Sequence, residues 1–216
     1  MGRDVVENLE QSIRLVVQEV IKNLDLQAFP AGAPGAATSQ GHGIFADIDS
    51  AIAAAKIAHQ ELMQLPLETR KAMIQNMRQT ILENNERLSK KAMEETGLGR
   101  WQSKMIKHRL VALKSPGVED LEPVSYTDDH GLTLVERAPY GVIGSITPTT
   151  NPSSTVVNNS IGMIAAGNAV VFNPHPGAKE VSCLTISLLN DAIVKAGGPR
   201  NLLSATPKPT IESAQA

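Results

Sequence analysis

Ala138–Gly177, APYGVIGSITPTTNPSSTVVNNSIGMIAAGNAVVFNPHPG, is the stretch that decides the fold. Val142, Ile143 and Ile146 form a short apolar run over 142–147, the pattern of a buried parallel strand, and Pro148 stops it. A helix follows over about 154–166, closed by Gly167-Asn168, and then a second strand, Val170-Val171-Phe172. Strand, helix and strand in this order make a βαβ unit. In open α/β sheets, ligands bind beyond the carboxyl ends of the strands. The loop Thr147-Pro148-Thr149-Thr150-Asn151-Pro152 leaves the first strand at that end, so function is expected there.

Working outward toward the C-terminus, a helix over about 178–196 closes at Gly197-Gly198, a strand follows at Leu202-Leu203, and Thr210–Ala216 reads as the first turn of another helix. The β-α-β-α-β order predicts an α/β fold, the start of a doubly wound parallel sheet. A sheet of three parallel strands whose last helix has only begun reads as an incomplete domain, so the chain is expected to be part of something longer. Toward the N-terminus, Asp128-Asp129-His130-Gly131 is a turn leading into an alternating strand over 132–137. Before it come three helical stretches: one capped by Asp47 or Asp49, one over 67–96 started by Pro66, softened at Asn84-Asn85 and ended by Gly97 and Gly99, and one over about 100–113.

Residues 25–43 are rich in Pro, Gly, Ala and Ser, the composition of a flexible linker. The linker separates the body, residues 44–216, from an N-terminal segment over residues 1–24. There Val5, Leu9, Ile13, Val16, Val20 and Leu24 recur at helical spacing among Arg3, Glu7, Glu10, Arg14, Glu19 and Lys22, which predicts an amphipathic helix.

The 216 residues are 42% hydrophobic and 19% charged, with a formal net charge of -2, the composition of an ordinary globular protein. Lys and Arg are scattered, so no nucleic-acid partner is expected. No apolar run approaches the ~20 residues that cross a bilayer, so no membrane association is expected. The single cysteine, Cys183, rules out an intrachain disulfide and fits a reducing cytosol. Cys183 lies among Val181, Leu184, Ile186 and Leu188, where a small buried hydrophobe is expected, and it reads as packing. None of the five histidines stands at metal-ligand spacing, so no metal is expected. Lys104, Lys107, His108, Arg109 and Lys114 read as the solvated basic face of a helix. By spacing alone Asn151 reads as a turn residue, since Asn before Pro starts turns.

GIFADIDSAIAAAKIAHQ (43–60), ETGLGR (95–100), SPGVEDL (115–121), the stretch LTLVERAPYGVIGSITPTTNPSSTVVNNSIGMIAAGNAVVFNPHPGAK and AGGPRNLL (196–203) together resemble the CoA-acylating aldehyde dehydrogenases of bacterial microcompartments, of the propanediol and ethanolamine utilisation type. The resemblance covers nearly the whole chain. It implies an aldehyde dehydrogenase-like fold, with residues 44–216 as part of the NAD-binding domain in the N-terminal half of a longer enzyme whose nucleophilic cysteine comes after position 216. The implied reaction converts a small aldehyde, coenzyme A and NAD⁺ to acyl-CoA and NADH. Asn151 matches the family's oxyanion asparagine. Ile146, Thr147, Pro148 and Thr149 match the segment on the nicotinamide side of the cofactor, and Asn173, Pro174, His175 and Pro176 match the segment that meets the adenosine ribose. Ordinary aldehyde dehydrogenases carry a lysine where Asn173 stands. The G-x-G-x-x-G cradle is absent, as it is across this superfamily.

The helix over residues 3–24 resembles the peptides that tether such enzymes inside a protein shell. This implies a shell protein as partner, the microcompartment lumen as location, and a homo-oligomer at full length. Two rival readings stand beside this one. The first is a shell-binding adaptor without catalytic activity; the second is part of an ordinary hydrolytic aldehyde dehydrogenase.

Overall fold

The computed structural model describes residues 43–215. The amphipathic helix expected over residues 1–24 and the linker up to residue 42 lie outside the described residues.

Helix α1 (Ile48–Leu62) begins where Asp47 accepts hydrogen bonds from the backbone N–H (2.8 Å) and hydroxyl (2.9 Å) of Ser50. It buries Ala51, Ala55, Ala58 and Leu62, a stripe of mostly small side chains that lets the helix lie close on the sheet. Helix α2 (Leu67–Glu83) starts at Pro66 and buries Met73, Ile74, Met77 and Ile81. Helix α3 (Asn85–Thr96) ends on Gly97 at φ +67, the left-handed conformation that suits glycine. Helix α4 (Trp101–Lys114) follows. Two arginines of α2 close the C-terminal ends of other helices. Arg78 donates to the carbonyls of Ala112 (2.6 Å) and Ser115 (2.7 Å) at the end of α4, and Arg70 donates to the Ala165 carbonyl at 3.1 Å.

Strands β1 (Val124–Asp128) and β2 (Gly131–Val135) form an antiparallel hairpin. The Asp128 carboxylate accepts from the N–H groups of His130 and Gly131 and sets the turn. The strand expected over 132–137 stops at Val135, whose partner is Val124. The residue before Val124 is Pro123, which has no N–H with which to continue the ladder.

The parallel sheet contains β3 (Val142–Thr147), β4 (Ala169–Pro174) and β5 (Leu203–Ala205), in that order. Helix α5 (Pro152–Ala165) joins β3 to β4, α6 (Lys179–Lys195) joins β4 to β5, and α7 (Ile211–Gln215) comes last. Central strand β4 is wholly buried from Ala169 to Phe172. α1 lies over one face of the sheet, where the Ser204 hydroxyl donates to the Ala51 carbonyl at 3.2 Å. On the other face Asn159 of α5 donates to the Ser145 hydroxyl at 3.1 Å. The backbone around Gly43 and Phe45 lies along the outer edge of β5, exchanging hydrogen bonds with Ala205 at 2.9 Å in both directions. Any Cβ at Gly43, held at φ +83, would collide with the Asn190 side chain and the Leu203 carbonyl.

Strand β3 departs from the fully buried strand that its apolar run suggested. Ser145 and Thr147 are buried, whereas Ile146, on the α1 side, is 69% exposed. β3 pairs only with β4 among the described residues, and Ile146 opens into a cleft between the strand and α1.

Helix α4 meets its expectation at Lys107, Arg109 and Lys114, which are exposed, and corrects it at two other positions. Of the basic residues read as a solvated face, Lys104 and His108 are only 7% and 1% exposed, while Ile106 (71%), Leu110 (58%) and Leu113 (48%) face outward. The buried side is held by a polar network joining three helices. His108 Nε2 lies 2.6 Å from the Ser153 hydroxyl of α5, and its Nδ1 lies 2.9 Å from Ser89 Oγ and 3.2 Å from Asn85 Oδ1, both of α3. Asn85 donates its amide N–H to the Met105 carbonyl at 3.0 Å, which turns its oxygen, an acceptor only, toward the ring. Nδ1 therefore carries the ring proton, and Nε2 accepts the proton of Ser153.

Burial pushes the His108 imidazole down from 6.5 to about 4. The unfolded chain then binds a proton between pH 6.5 and 4 that the folded chain refuses. Stability from this residue is complete above pH 6.5 and falls as the pH drops toward 4, by on the order of 3 kcal/mol in total. Urea unfolding measured from pH 7 to 4.5 should show this loss, and His108→Gln should flatten the slope while lowering stability at pH 7. An unchanged slope in the variant would contradict the buried neutral histidine.

Candidate functional site

Parallel pairing brings the carboxyl ends of β3 and β4 level, with Thr147 opposite Pro174. The two following loops are joined at their root, where the N–H of His175 donates to the Thr147 carbonyl at 3.0 Å. All nine sequence-predicted site residues lie on these strand ends and loops, in two groups.

The first group belongs to the α1 side of the sheet. A cleft of about 350 Å³ lies there, walled by Ile48, Ile52 and Lys56 of α1 and floored by Ile146, Gly144 and Asn173. Gly144 has nothing within 4 Å of where a Cβ would stand, and Ile146 presents an exposed apolar side chain beside it. Asn173 stands beside Ile146 on the neighbouring strand and is tied to the start of α7: its side-chain oxygen accepts from the Ser213 hydroxyl (2.8 Å) and its N–H donates to the Thr210 carbonyl (3.3 Å). Pro174 is buried, whereas His175 and Pro176 are exposed. His175 Nδ1 accepts the N–H of Gly177 at 3.1 Å and so caps the short 3-10 turn Pro176–Ala178 that leads into α6. Glu95 of α3 then takes both N–H groups at the start of α6, from Glu180 (2.8 Å) and Val181 (2.7 Å). A carboxylate at that position satisfies two orphan donors and complements the positive end of the helix dipole.

The second group leads into α5. Thr147 is 2% exposed, and its hydroxyl has no hydrogen-bond partner among the described residues. Pro148 is exposed and Thr149 half-buried. Asn151 occupies the N-cap of α5, with Pro152 at the first helical position, where its fixed φ suits the helix. An N-cap asparagine ordinarily turns its side-chain oxygen back onto an N–H of the first turn. Asn151 does not. Its oxygen is held instead by the Lys107 ammonium of α4 at 2.8 Å, while its backbone carbonyl takes the Thr155 N–H (3.0 Å) and hydroxyl (2.7 Å). The carboxamide N–H₂ keeps both its protons for something outside this set of contacts.

Sequence reasoning missed Lys107, His108 and Glu95. Asn151 and Lys107 are 44 residues apart, and Glu95 and Glu180 85, so no local pattern signals either pairing. Lys104, one turn before Lys107, has its ammonium pushed down by burial and then by the Lys107 charge.

Cys183 is half-buried in α6, and burial, with Glu95 as a lesser cause, pushes its thiol up to about 11. It is a thiol and not a thiolate at neutral pH, which makes it a poor nucleophile. Among the described residues no three His, Cys, Asp or Glu side chains come together to hold a metal ion, and no helix is long and apolar enough to cross a membrane.

The sequence pattern of the Aldehyde dehydrogenase family matches residues 37–216. The acetylating acetaldehyde dehydrogenase EutE of Escherichia coli K12 is 46% identical over 199 residues, which cover 92% of this chain and 42% of that protein. The CoA-propanoylating propanal dehydrogenase of Salmonella typhimurium is 42% identical over 207 residues, 96% of this chain and 43% of its own. Among solved structures, a propionaldehyde dehydrogenase from the fucose utilisation microcompartment of Clostridium phytofermentans superposes with a TM-score of 0.78 at 46% identity, over 81% of this chain and 40% of that one. The chain thus spans about two-fifths of the length of these relatives. The family pattern extends from before the described residues through α7, and with it the chain belongs to the aldehyde dehydrogenase family.

Proposed function

We propose that the protein acts as a CoA-acylating, NAD-dependent aldehyde dehydrogenase of a bacterial microcompartment, converting a small aldehyde, coenzyme A and NAD⁺ to acyl-CoA and NADH. The observation that carries this reading is the Asn151 carboxamide beyond the carboxyl end of β3, which forgoes its cap and whose N–H₂ donates to no partner among the described residues. When a thiol adds to an aldehyde, negative charge collects on the carbonyl oxygen. A fixed N–H donor aimed at that oxygen stabilises the charge more than it stabilises the uncharged aldehyde, so it lowers the barrier. Cys183 does not supply the thiol, being protonated and packed in α6.

NAD supplies the hydride acceptor when bound, and the residues present fit it. Ile146 and the bare backbone of Gly144 offer a flat apolar surface to the nicotinamide side, next to Thr147, Pro148 and Thr149. Asn173 stands beside Ile146 on the next strand and lines the same cleft, and Pro174, His175 and Pro176 follow it into the loop where the adenosine ribose would sit. Asn173 is neutral where ordinary aldehyde dehydrogenases carry a lysine, and Lys56 of α1 lines the same cleft. Similarity to acetylating and CoA-propanoylating relatives supports coenzyme A as acyl acceptor, and similarity to a microcompartment enzyme supports the lumen as location. Residues 1–24 would be the shell-binding element and residues 25–43 its tether, with the body, residues 44–216, assembling as a homo-oligomer within the whole enzyme.

Activity is best measured with the chain joined after Ala216 to the remaining segment of E. coli EutE. In that protein Asn151→Ala should lower aldehyde turnover by about two to three orders of magnitude with NAD⁺ binding almost unchanged. Cys183→Ser should cost about 1–3 kcal/mol in stability and little turnover. Normal turnover in the Asn151 variant, or complete loss in a folded Cys183 variant, would reverse both assignments.

Targeting has a separate test. Residues 1–43 fused to a fluorescent protein should enter assembled microcompartments, and charges placed at Ile13 and Val17 should abolish entry. Diffuse fluorescence from the unaltered fusion in shell-forming cells would contradict the tethering role.

A further inference from the structure

We infer that Lys107 is a positioning residue for Asn151, holding the carboxamide by its oxygen so that the N–H₂ group faces the reacting aldehyde. The inference rests on the oxyanion reading of Asn151 and adds to it the reason the amide points the right way. An ammonium has three protons and no acceptor, so the atom of Asn151 that meets Lys107 Nζ at 2.8 Å has to be the oxygen. That contact removes the ambiguity between the two ends of a carboxamide. It also excludes a nearby alternative, because an N-cap asparagine left to itself rotates its oxygen onto the N–H groups of its own first turn. In that rotamer the N–H₂ would be redirected and the oxyanion donor lost.

The lysine is itself well placed to hold. The next residue, His108, is buried and hydrogen-bonded at 2.6 Å to Ser153, two positions after Asn151. Adjacent residues of α4 thus grip α5 at two points, one through the backbone-fixed first turn and one through the functional side chain. His108 sets the spacing between the helices, and Lys107 uses that spacing to reach Asn151. Its positive charge, drawn toward the carboxamide oxygen, also polarises the amide and makes the N–H₂ a stronger donor.

Two measurements test this. In the ¹⁵N-labelled chain 1–216, Lys107→Met, which keeps the aliphatic stem and removes the charge, should move the Asn151 side-chain amide signals, and Lys107→Arg should return them toward their original positions. Unmoved Asn151 signals in Lys107→Met would overturn the inference. In the chain completed with the EutE segment, Lys107→Met should lower kcat about 5- to 30-fold while KM for aldehyde and NAD⁺ stays within about threefold, and Lys107→Arg should recover most of the rate. In an Asn151→Ala background Lys107→Met should have no further effect, because its influence passes through that amide. Equal losses in both backgrounds, or an unchanged kcat in the single variant, would overturn it. If the unaltered completed protein made no NADH from aldehyde, the dehydrogenase reading would fail by itself, and the amide signals would still decide whether Lys107 orients Asn151.

Discussion

The parallel register between β3 and β4 is the constraint on which the rest of the site depends. Ala169 pairs with Val142 and Pro174 with Thr147, so both strands end at the same level and their loops leave side by side. A slip of β3 by one residue would turn Ile146 away from the cleft and carry Ser145 and Thr147 out of the packed face. The register is strongly specified because β4 is buried from Ala169 to Phe172, with α1 against one face of the sheet and α5 and α6 packed on the other. Small residues on α1 and the long apolar stripes of α5 and α6 are therefore what set the position of the functional loops, although few of them touch those loops.

A second level of fixing acts on the helix that follows the first loop. α5 receives its N-terminal restraint from α4, through Lys107 and His108, and its C-terminal restraint from α2, through Arg70. α6 is treated in the same way, with the Glu95 carboxylate of α3 on its first N–H groups. The helices that precede the sheet in sequence thus close the free ends of the helices that join its strands. Polar contacts of this kind contribute through geometry more than through net energy, since each exchanges a hydrogen bond to water for one within the protein.

How much of this was legible in the sequence follows from how local each signal is. Pro148 ending β3, Asp47 capping α1 and Gly97 closing α3 are all one- or two-residue signals, and each lies where it was read, whereas Pro152, read as loop, is the first residue of α5. The nine site residues lie together because they occupy two consecutive strand ends of a βαβ unit, a relation the topology guarantees. The polarity of α4 was read correctly at Lys107, Arg109 and Lys114, which are exposed, and wrongly at two other basic positions. Its apolar Ile106, Leu110 and Leu113 face outward and its Lys104 and His108 inward, because the inner neighbours are the polar groups Asn85, Ser89 and Ser153, from helices that no periodicity in α4 reveals. Ile146 was misread for a related reason: an apolar pattern marks a strand but does not say whether both of its faces are covered. The choice of Asn151 as oxyanion donor came from family resemblance, whereas its lysine partner came from the structure alone.

The reading stands most directly on what becomes of the aldehyde. The chain completed with the remaining segment of EutE would be given aldehyde and NAD⁺ with and without coenzyme A, and the products separated and identified by mass spectrometry. Acyl-CoA formed in equal amount to NADH, with little turnover when coenzyme A is left out, is the predicted result. Free carboxylate produced at the same rate whether or not coenzyme A is present would contradict the acylating reading and point to the hydrolytic one.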